Sequence, residues 1–213
     1  MSIQAVVFDF GGVFIDSPFA AVADAAVRQG LDPQRLNDVV FGSYDQDTDH
    51  PWHQLERGEI SVIEARDRII AGSVADGGTE IDPFVVLADV AGGEIRSDMV
   101  EFCVEVRALG LKTGLLTNNA REFETFWREI LPLDELFDDV VDSSAVGMRK
   151  PDPRIYRLSL DRLGGIAPAD AVFIDDAIGN VHGARAVGMA AVHIGDQRSD
   201  VPTALAELRS LIR

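Results

Sequence analysis

The sequence predicts an α/β protein: a doubly wound, parallel, Rossmann-like sheet with a helical cap inserted after its first strand. Three observations lead there. Five short apolar runs of strand length recur along the chain, and the clearest of them stop at acidic or polar residues. Between them lie segments with apolar residues at helical spacing, and alternation of this kind builds parallel sheets. One long segment, residues 17–95, breaks the alternation and holds only helical patterns.

The first strand is read over residues 4–9, Gln-Ala-Val-Val-Phe-Asp, an apolar run that stops at an acid and two glycines. After the step Ser17-Pro18 come helix-like stretches at 19–29, 33–41, 50–57, 61–74 and 83–90, followed by the pair Gly92-Gly93. The Ser-Pro step and the glycine pair are candidate hinges. The expected division is a core of residues 1–16 and 96–213, with 17–95 as the cap. Residues 98–109 carry Met99, Phe102, Cys103, Val106 and Leu109 on one helical face. The second strand runs from Leu111 to Thr117, the third is the short run Val140-Val141, and the fourth spans Ala171 to Ile174 before Asp175-Asp176. The fifth covers Ala190 to Ile194, and further helices are expected over 121–130, 153–163, 178–187 and 203–212. The sequence contains no internal repeat and no low-complexity segment.

A chain of 213 residues suffices for a core with a small insert. No stretch is apolar enough over enough residues to span a bilayer. The N-terminal Met-Ser-Ile-Gln lacks the basic start of a signal peptide and runs directly into a strand, so a cytoplasmic protein is expected. The single Cys103 agrees with a reducing compartment. A net charge of −17 argues against nucleic acid and anionic membranes as partners, since both demand basic patches. An anionic substrate would need local cations to reverse that field.

The polar clusters fall where parallel sheets bind ligands, beyond the carboxyl ends of the strands. Asp9 ends a buried strand and precedes Phe10-Gly11-Gly12-Val13; a carboxylate there suits a nucleophile or a metal ligand, and equally a turn cap. Thr117-Asn118-Asn119 offers a hydroxyl and free N–H groups, either an anion cradle or a plain helix cap. Lys150 lies in Gly-Met-Arg-Lys-Pro-Asp-Pro, where two prolines stiffen the loop; Arg149 beside it is expected to be peripheral. The adjacent acids Asp175-Asp176 repel one another unless a cation neutralises them.

Taken in order, Asp-x-Gly-Gly-Val, Leu-Leu-Thr-Asn, Arg-Lys-Pro-Asp and Phe-Ile-Asp-Asp resemble the motifs of the haloacid dehalogenase (HAD) superfamily over the whole chain. The insert position is similar to the helical cap of its subfamily I. Glu56 to Ser61, Phe126-Trp127 and Gly147 to Pro151 resemble the branch with α-D-glucose-1-phosphate phosphatase and the N-terminal phosphatase domain of epoxide hydrolases. The resemblance implies a magnesium-dependent phosphatase acting through an aspartyl phosphate on a small phosphorylated metabolite such as a sugar phosphate. Asp9 would be nucleophile and magnesium ligand, the Gly11 carbonyl a second ligand, Asp176 a third, and Asp175 a ligand directly or through water. Thr117 and Asn118 would hold phosphoryl oxygens, Lys150 would bridge Asp9 and the phosphate, and Asn180 would orient Lys150 or a metal-bound water.

One position departs from the pattern. Most phosphatases of this superfamily carry a second Asp two residues after the nucleophile, as general acid and base, and here Gly11 stands there. General acid–base help is worth roughly a hundred- to ten-thousand-fold. Asp16, His53 and Glu56 are candidate substitutes. Alternatively the leaving group needs little help, or the chain is a weak or non-catalytic binding protein of this fold. A haloacid dehalogenase uses no metal, and the pair Asp175-Asp176 argues against it.

Other features carry less. Asp45, Asp47, Asp49 and Glu56 match positions 1, 3, 5 and 12 of a calcium loop, but His50 replaces the glycine that its turn needs. His50 and His53 flank Trp52 as candidate cap residues. His182 and His193 are read as structural, and Trp127 as core or cleft rim.

Overall fold

The computed structural model describes residues 2–75, 80–88, 94–195 and 197–212. Strands β1 (Ala5–Phe8), β2 (Lys112–Thr117), β3 (Asp139–Asp142), β4 (Ala171–Asp175) and β5 (Ala190–His193) form one sheet in the order β3-β2-β1-β4-β5. Every pairing is parallel. Side chains alternate across the central strand. Val6 and Phe8 join one buried cluster, Ala5 and Val7 another. Both faces are covered, which is why the strands read as continuous apolar runs rather than alternating ones.

Among the described residues of the insert, five helices follow β1: α1 (Pro18–Gln29), α2 (Pro33–Phe41), α3 (Pro51–Glu56), α4 (Val62–Ala75) and α5 (Pro83–Ala88). Proline at the first position starts the first three. Asp32 accepts the Arg35 N–H, and His50 Nδ1 accepts the Trp52 N–H. These helices share an apolar cluster built on Val22, Leu36, Phe41, Leu55 and Ile69, which Ala120 joins from beyond β2.

α6 (Ser97–Ala108) follows, then α7 (Glu124–Arg128), α8 (Leu133–Leu136), α9 (Ser143–Val146), α10 (Pro153–Arg162), α11 (Ile178–Ala186) and α12 (Val201–Leu211). α6 and α12 bury Phe102 and Leu208 against one face of the sheet, and α10 and α11 bury Tyr156 and Val181 against the other. The helix expected over 121–130 divides into a 3-10 turn at Arg121–Phe123 and the short α7. α8 and α9 have four residues each, too few for a periodic pattern to register. The fifth insert helix is described to Ala88, and residues 89–90 and the pair Gly92-Gly93 lie outside the described residues. Among the described residues no helix is long and apolar enough to cross a membrane.

Candidate active site

Register places Asp9. β1 pairs with β4 so that Phe8 lies opposite Ile174, and the Asp9 N–H extends the ladder to the Ile174 carbonyl at 2.9 Å. Asp9 and the pair Asp175-Asp176 therefore leave neighbouring strands at the edge where the strand order reverses. On its other side β1 lies beside β2, with Phe8 opposite Leu115, which carries Thr117 to the same edge. Carboxylate oxygens of Asp9, Asp175 and Asp176 lie within 4.8 Å of one another, all three residues buried.

Lys150 Nζ sits 2.7 Å from Asp9 Oδ1 and 2.7 Å from Asp175 Oδ2. Three carboxylates facing one ammonium leave an excess of negative charge. Burial, then the charge of Asp175, pushes Asp9 up to about 7 although Lys150 pulls it down. Burial and the same neighbours hold Asp176 well above the usual carboxylate range. Burial works against the Lys150 ammonium, but Asp175 and Asp9 outweigh it and hold the lysine above its ordinary value.

The two acids at the end of β4 differ. Asp175 is saturated: it accepts from the Ala177 N–H at 2.8 Å, from Asn180 Nδ2 at 3.1 Å and from Lys150. Asn180 thus acts on Asp175 and reaches Lys150 only through it. Asp176 Oδ2 is buried without any partner. An orphaned carboxylate oxygen beside two further carboxylates is a donor set that fits a hard divalent cation such as Mg2+. Gly12 makes room for it. Its φ is +71°, and a Cβ there would stand 2.0 Å from Asp176 Oδ2.

The Asn118 side chain donates to the Lys150 carbonyl at 3.1 Å and accepts the Lys150 N–H at 2.8 Å, so its amide clamps the lysine loop. Thr117 and Asn118 both line a cavity of about 520 Å³ whose floor also holds Asp9, Gly11, Lys150 and Asp176. The walls are mostly apolar, with Phe41, Trp52 and Phe84 on one side and Phe123 and Trp127 on another.

The three candidate acids lie in different surroundings. Asp16 reaches the cavity rim, but Arg198 Nε donates to it at 2.8 Å, and this hydrogen bond holds its pKa below the usual value. His53 is fully buried, does not line the cavity, and accepts the Thr48 N–H at 3.0 Å. Burial, then the charge of Arg149, lowers it to about 3. Glu56 does line the cavity, yet its oxygens accept from Tyr44 Oη at 2.5 Å, Trp52 Nε1 at 2.8 Å and Arg149 Nε at 2.7 Å. Asp16 and Glu56 are thus engaged by protein side chains, and His53 lies outside the cavity.

Arg149 is the clearest miss. Expected at the periphery, it is fully buried, paired with Glu56 and stacked on Tyr44 with its guanidinium carbon 4.7 Å from the ring centroid. Only its buried partner, distant in the chain, distinguishes it from a solvated arginine. The acidic run at 45–56 does not converge on an ion: Asp47 pairs with Arg57, and Glu56 turns inward. His193 Nε2 lies 2.7 Å from the Asp176 carbonyl and steadies that turn. His50 caps α3, and Trp127 packs on Phe10 at the cavity wall.

A Rossmann-like sheet thus carries, at its switch point, a buried acidic pocket that could hold a metal ion. Residues 3–188 match the haloacid dehalogenase-like hydrolases, and the chain belongs to that family. It is 31% identical to acyl-CoA dehydrogenase family member 10 of Mus musculus over 99% of its own length, which is 19% of that protein. It is 29% identical to a sesquiterpene phosphatase of Aspergillus oryzae, covering 98% of this chain and 96% of the relative. The fold matches an HAD-family enzyme of Bacteroides thetaiotaomicron solved with magnesium and inorganic phosphate, with a TM-score of 0.62 at 20% identity, over 92% and 96% of the two chains.

Proposed function

We propose that the protein is a magnesium-dependent phosphatase that hydrolyses a small phosphate monoester through an aspartyl phosphate on Asp9, beneath a cap formed by residues 17–95. The observation that carries this reading is Lys150, held 2.7 Å from both Asp9 and Asp175 beside the unpartnered oxygen of Asp176. Asp9, the Gly11 carbonyl and Asp176 would hold the cation, with Asp175 behind them. When bound, Mg2+ supplies charge that offsets the repulsion between the phosphoryl group and the carboxylates. The full-length likeness to a sesquiterpene phosphatase supports phosphate-ester hydrolysis, and the motif resemblance to glucose-1-phosphate and epoxide hydrolase phosphatases points the same way.

Asp9 Oδ attacks phosphorus, and the bond from phosphorus to the leaving oxygen breaks. Lys150 favours the ionised form of Asp9 against burial and spans nucleophile and phosphoryl oxygens, while the Thr117 hydroxyl contacts the transferred group. The departing alkoxide takes its proton from water and leaves hydroxide, because Gly11 supplies none, Asp16 and Glu56 are engaged by protein, and His53 lies outside the cavity. Water then attacks the aspartyl phosphate and gives its proton to the hydroxide left by the first step, the phosphorus–Asp9 bond breaks, and inorganic phosphate leaves.

This leads to a strong dependence on leaving-group acidity. Acetyl phosphate and p-nitrophenyl phosphate should turn over far faster than a simple alkyl phosphate, and equal rates would count against the reading. Asp9→Asn should abolish turnover, measured as phosphate release with Mg2+ and with EDTA. Activity that survives the substitution removes Asp9 as nucleophile, and activity indifferent to EDTA favours a dehalogenase-like, metal-free site. Failure of beryllium fluoride to form an adduct at Asp9 would instead favour a binding protein, the reading that Gly11 supports.

A further inference from the structure

The floor of the cavity is ionic, but its walls are not. Phe19, Phe41, Trp52 and Phe84 reach it from the segment between β1 and α6, and Phe123 and Trp127 from the segment after β2. Phe126, also in the lining, is 63% exposed, so apolar surface continues from the interior to the mouth. A pocket for a sugar would present free donors and acceptors, since each hydroxyl taken out of water without a partner costs free energy.

Most of the polar groups along these walls are already spent. Tyr44 Oη and Trp52 Nε1 both donate to Glu56, whose remaining oxygen takes Arg149. Asp16 is bound by Arg198, and Asn119 Oδ1 accepts the Ala120 N–H at 2.9 Å. Trp127 Nε1 and Asn180 Oδ1 are exceptions among the described lining residues, a buried donor and a buried acceptor without partners. One N–H and one amide oxygen do not match the several hydroxyls of a hexose. A cavity of about 520 Å³ with such walls suits an organic group of moderate size.

We infer that the substrate is a phosphate monoester of an apolar alcohol, aliphatic or aromatic, in place of the sugar phosphate that the motifs suggested. The phosphate sits on the floor by Lys150 and Asp176, and the hydrocarbon lies along the aromatic walls. The inference rests on the phosphatase reading for its chemistry, but it concerns binding and is tested without turnover.

The probes are n-alkylphosphonates, which cannot be hydrolysed and keep one headgroup while the chain lengthens. Calorimetric titration of the magnesium-loaded protein with ethyl-, butyl-, hexyl- and octylphosphonate should show Kd falling about threefold to fourfold per methylene until the cavity is full. Glucose 6-phosphate should bind no more tightly than ethylphosphonate. Phe84→Asn should weaken octylphosphonate about tenfold more than ethylphosphonate. A Kd independent of chain length, or tighter binding of the sugar phosphate, overturns the inference. Phosphate release from octyl, ethyl and acetyl phosphate, run in parallel, separates the two readings. If chain-length dependence persists while none of these is hydrolysed, the apolar site stands and the phosphatase reading falls. If acetyl phosphate is hydrolysed while the affinities stay flat, the phosphatase reading stands and the apolar site falls.

Discussion

Two adjacent glycines after β1 do different work. Gly12 is confined by the left-handed φ of +71° and by Asp176 Oδ2, 2.0 Å from where a Cβ would stand. Gly11 has neither constraint: its added Cβ would meet Pro18 Cδ at 3.5 Å, an ordinary contact, and its φ is not positive. Its side chain can therefore be lengthened. Gly11→Asp should place a carboxyl beside the leaving group and raise kcat/KM for alkyl phosphates by about a hundredfold or more, with a much smaller gain for acetyl phosphate. Equal gains on both would show that proton transfer was not what the site lacked. Cys103 makes a simpler case. Burial pushes its thiol up to about 12, so Ellman's reagent should find no reactive thiol at pH 8 until the protein is unfolded. Asp9 and Asp175-Asp176 were legible in the sequence, because each acid ends a buried apolar run.

At the level of elements, the insert and the sheet are joined by contacts that no local pattern announces. Glu56 on α3 pairs with Arg149, which is 93 residues away in the chain and directly precedes Lys150. A Cβ on Gly179, at the start of α11, would stand 2.1 Å from the Tyr44 carbonyl, and one on Gly58 would stand 2.6 Å from the Ser144 carbonyl. Removing one member of a buried ion pair strands the other without a counter-charge. Arg149→Met should thus cost about 3–5 kcal/mol in urea-monitored unfolding, and adding Glu56→Leu should recover much of it. Additive losses would mean that the two side chains stabilise the protein independently. The helices themselves were predictable from apolar spacing and Pro starts. The four-residue α8 and α9 were not, being held by tertiary contacts rather than by a periodic face.

Across the whole molecule, a chain of net charge −17 buries three carboxylates at one edge of its sheet. Burial raises Asp9 from 3.8 to about 7, so in that window the folded, metal-free protein keeps a proton that the unfolded chain releases. Stability from this group is present below 3.8 and is lost as pH rises through about 7. In EDTA, Asp9→Asn should therefore be more stable than wild type at pH 8, by of the order of 2 kcal/mol, and nearly equal to it at pH 4. Magnesium should raise the wild-type Tm more at pH 8 than at pH 5, because its ligands bind it deprotonated. A Tm increment independent of pH would argue that these carboxylates do not hold the ion. The alternation of strands and helices, the acids at strand ends and the missing acid at Gly11 could all be read from the chain, since each depends on residues a few positions apart. Which carboxylates are free and which are spent, that Asn118 clamps a backbone, that Arg149 is buried, and that the walls above the acidic floor are aromatic all depend on side chains meeting from distant segments. Hydrogen-bond partners and cavity linings are properties of folded proximity, and a linear pattern does not carry them.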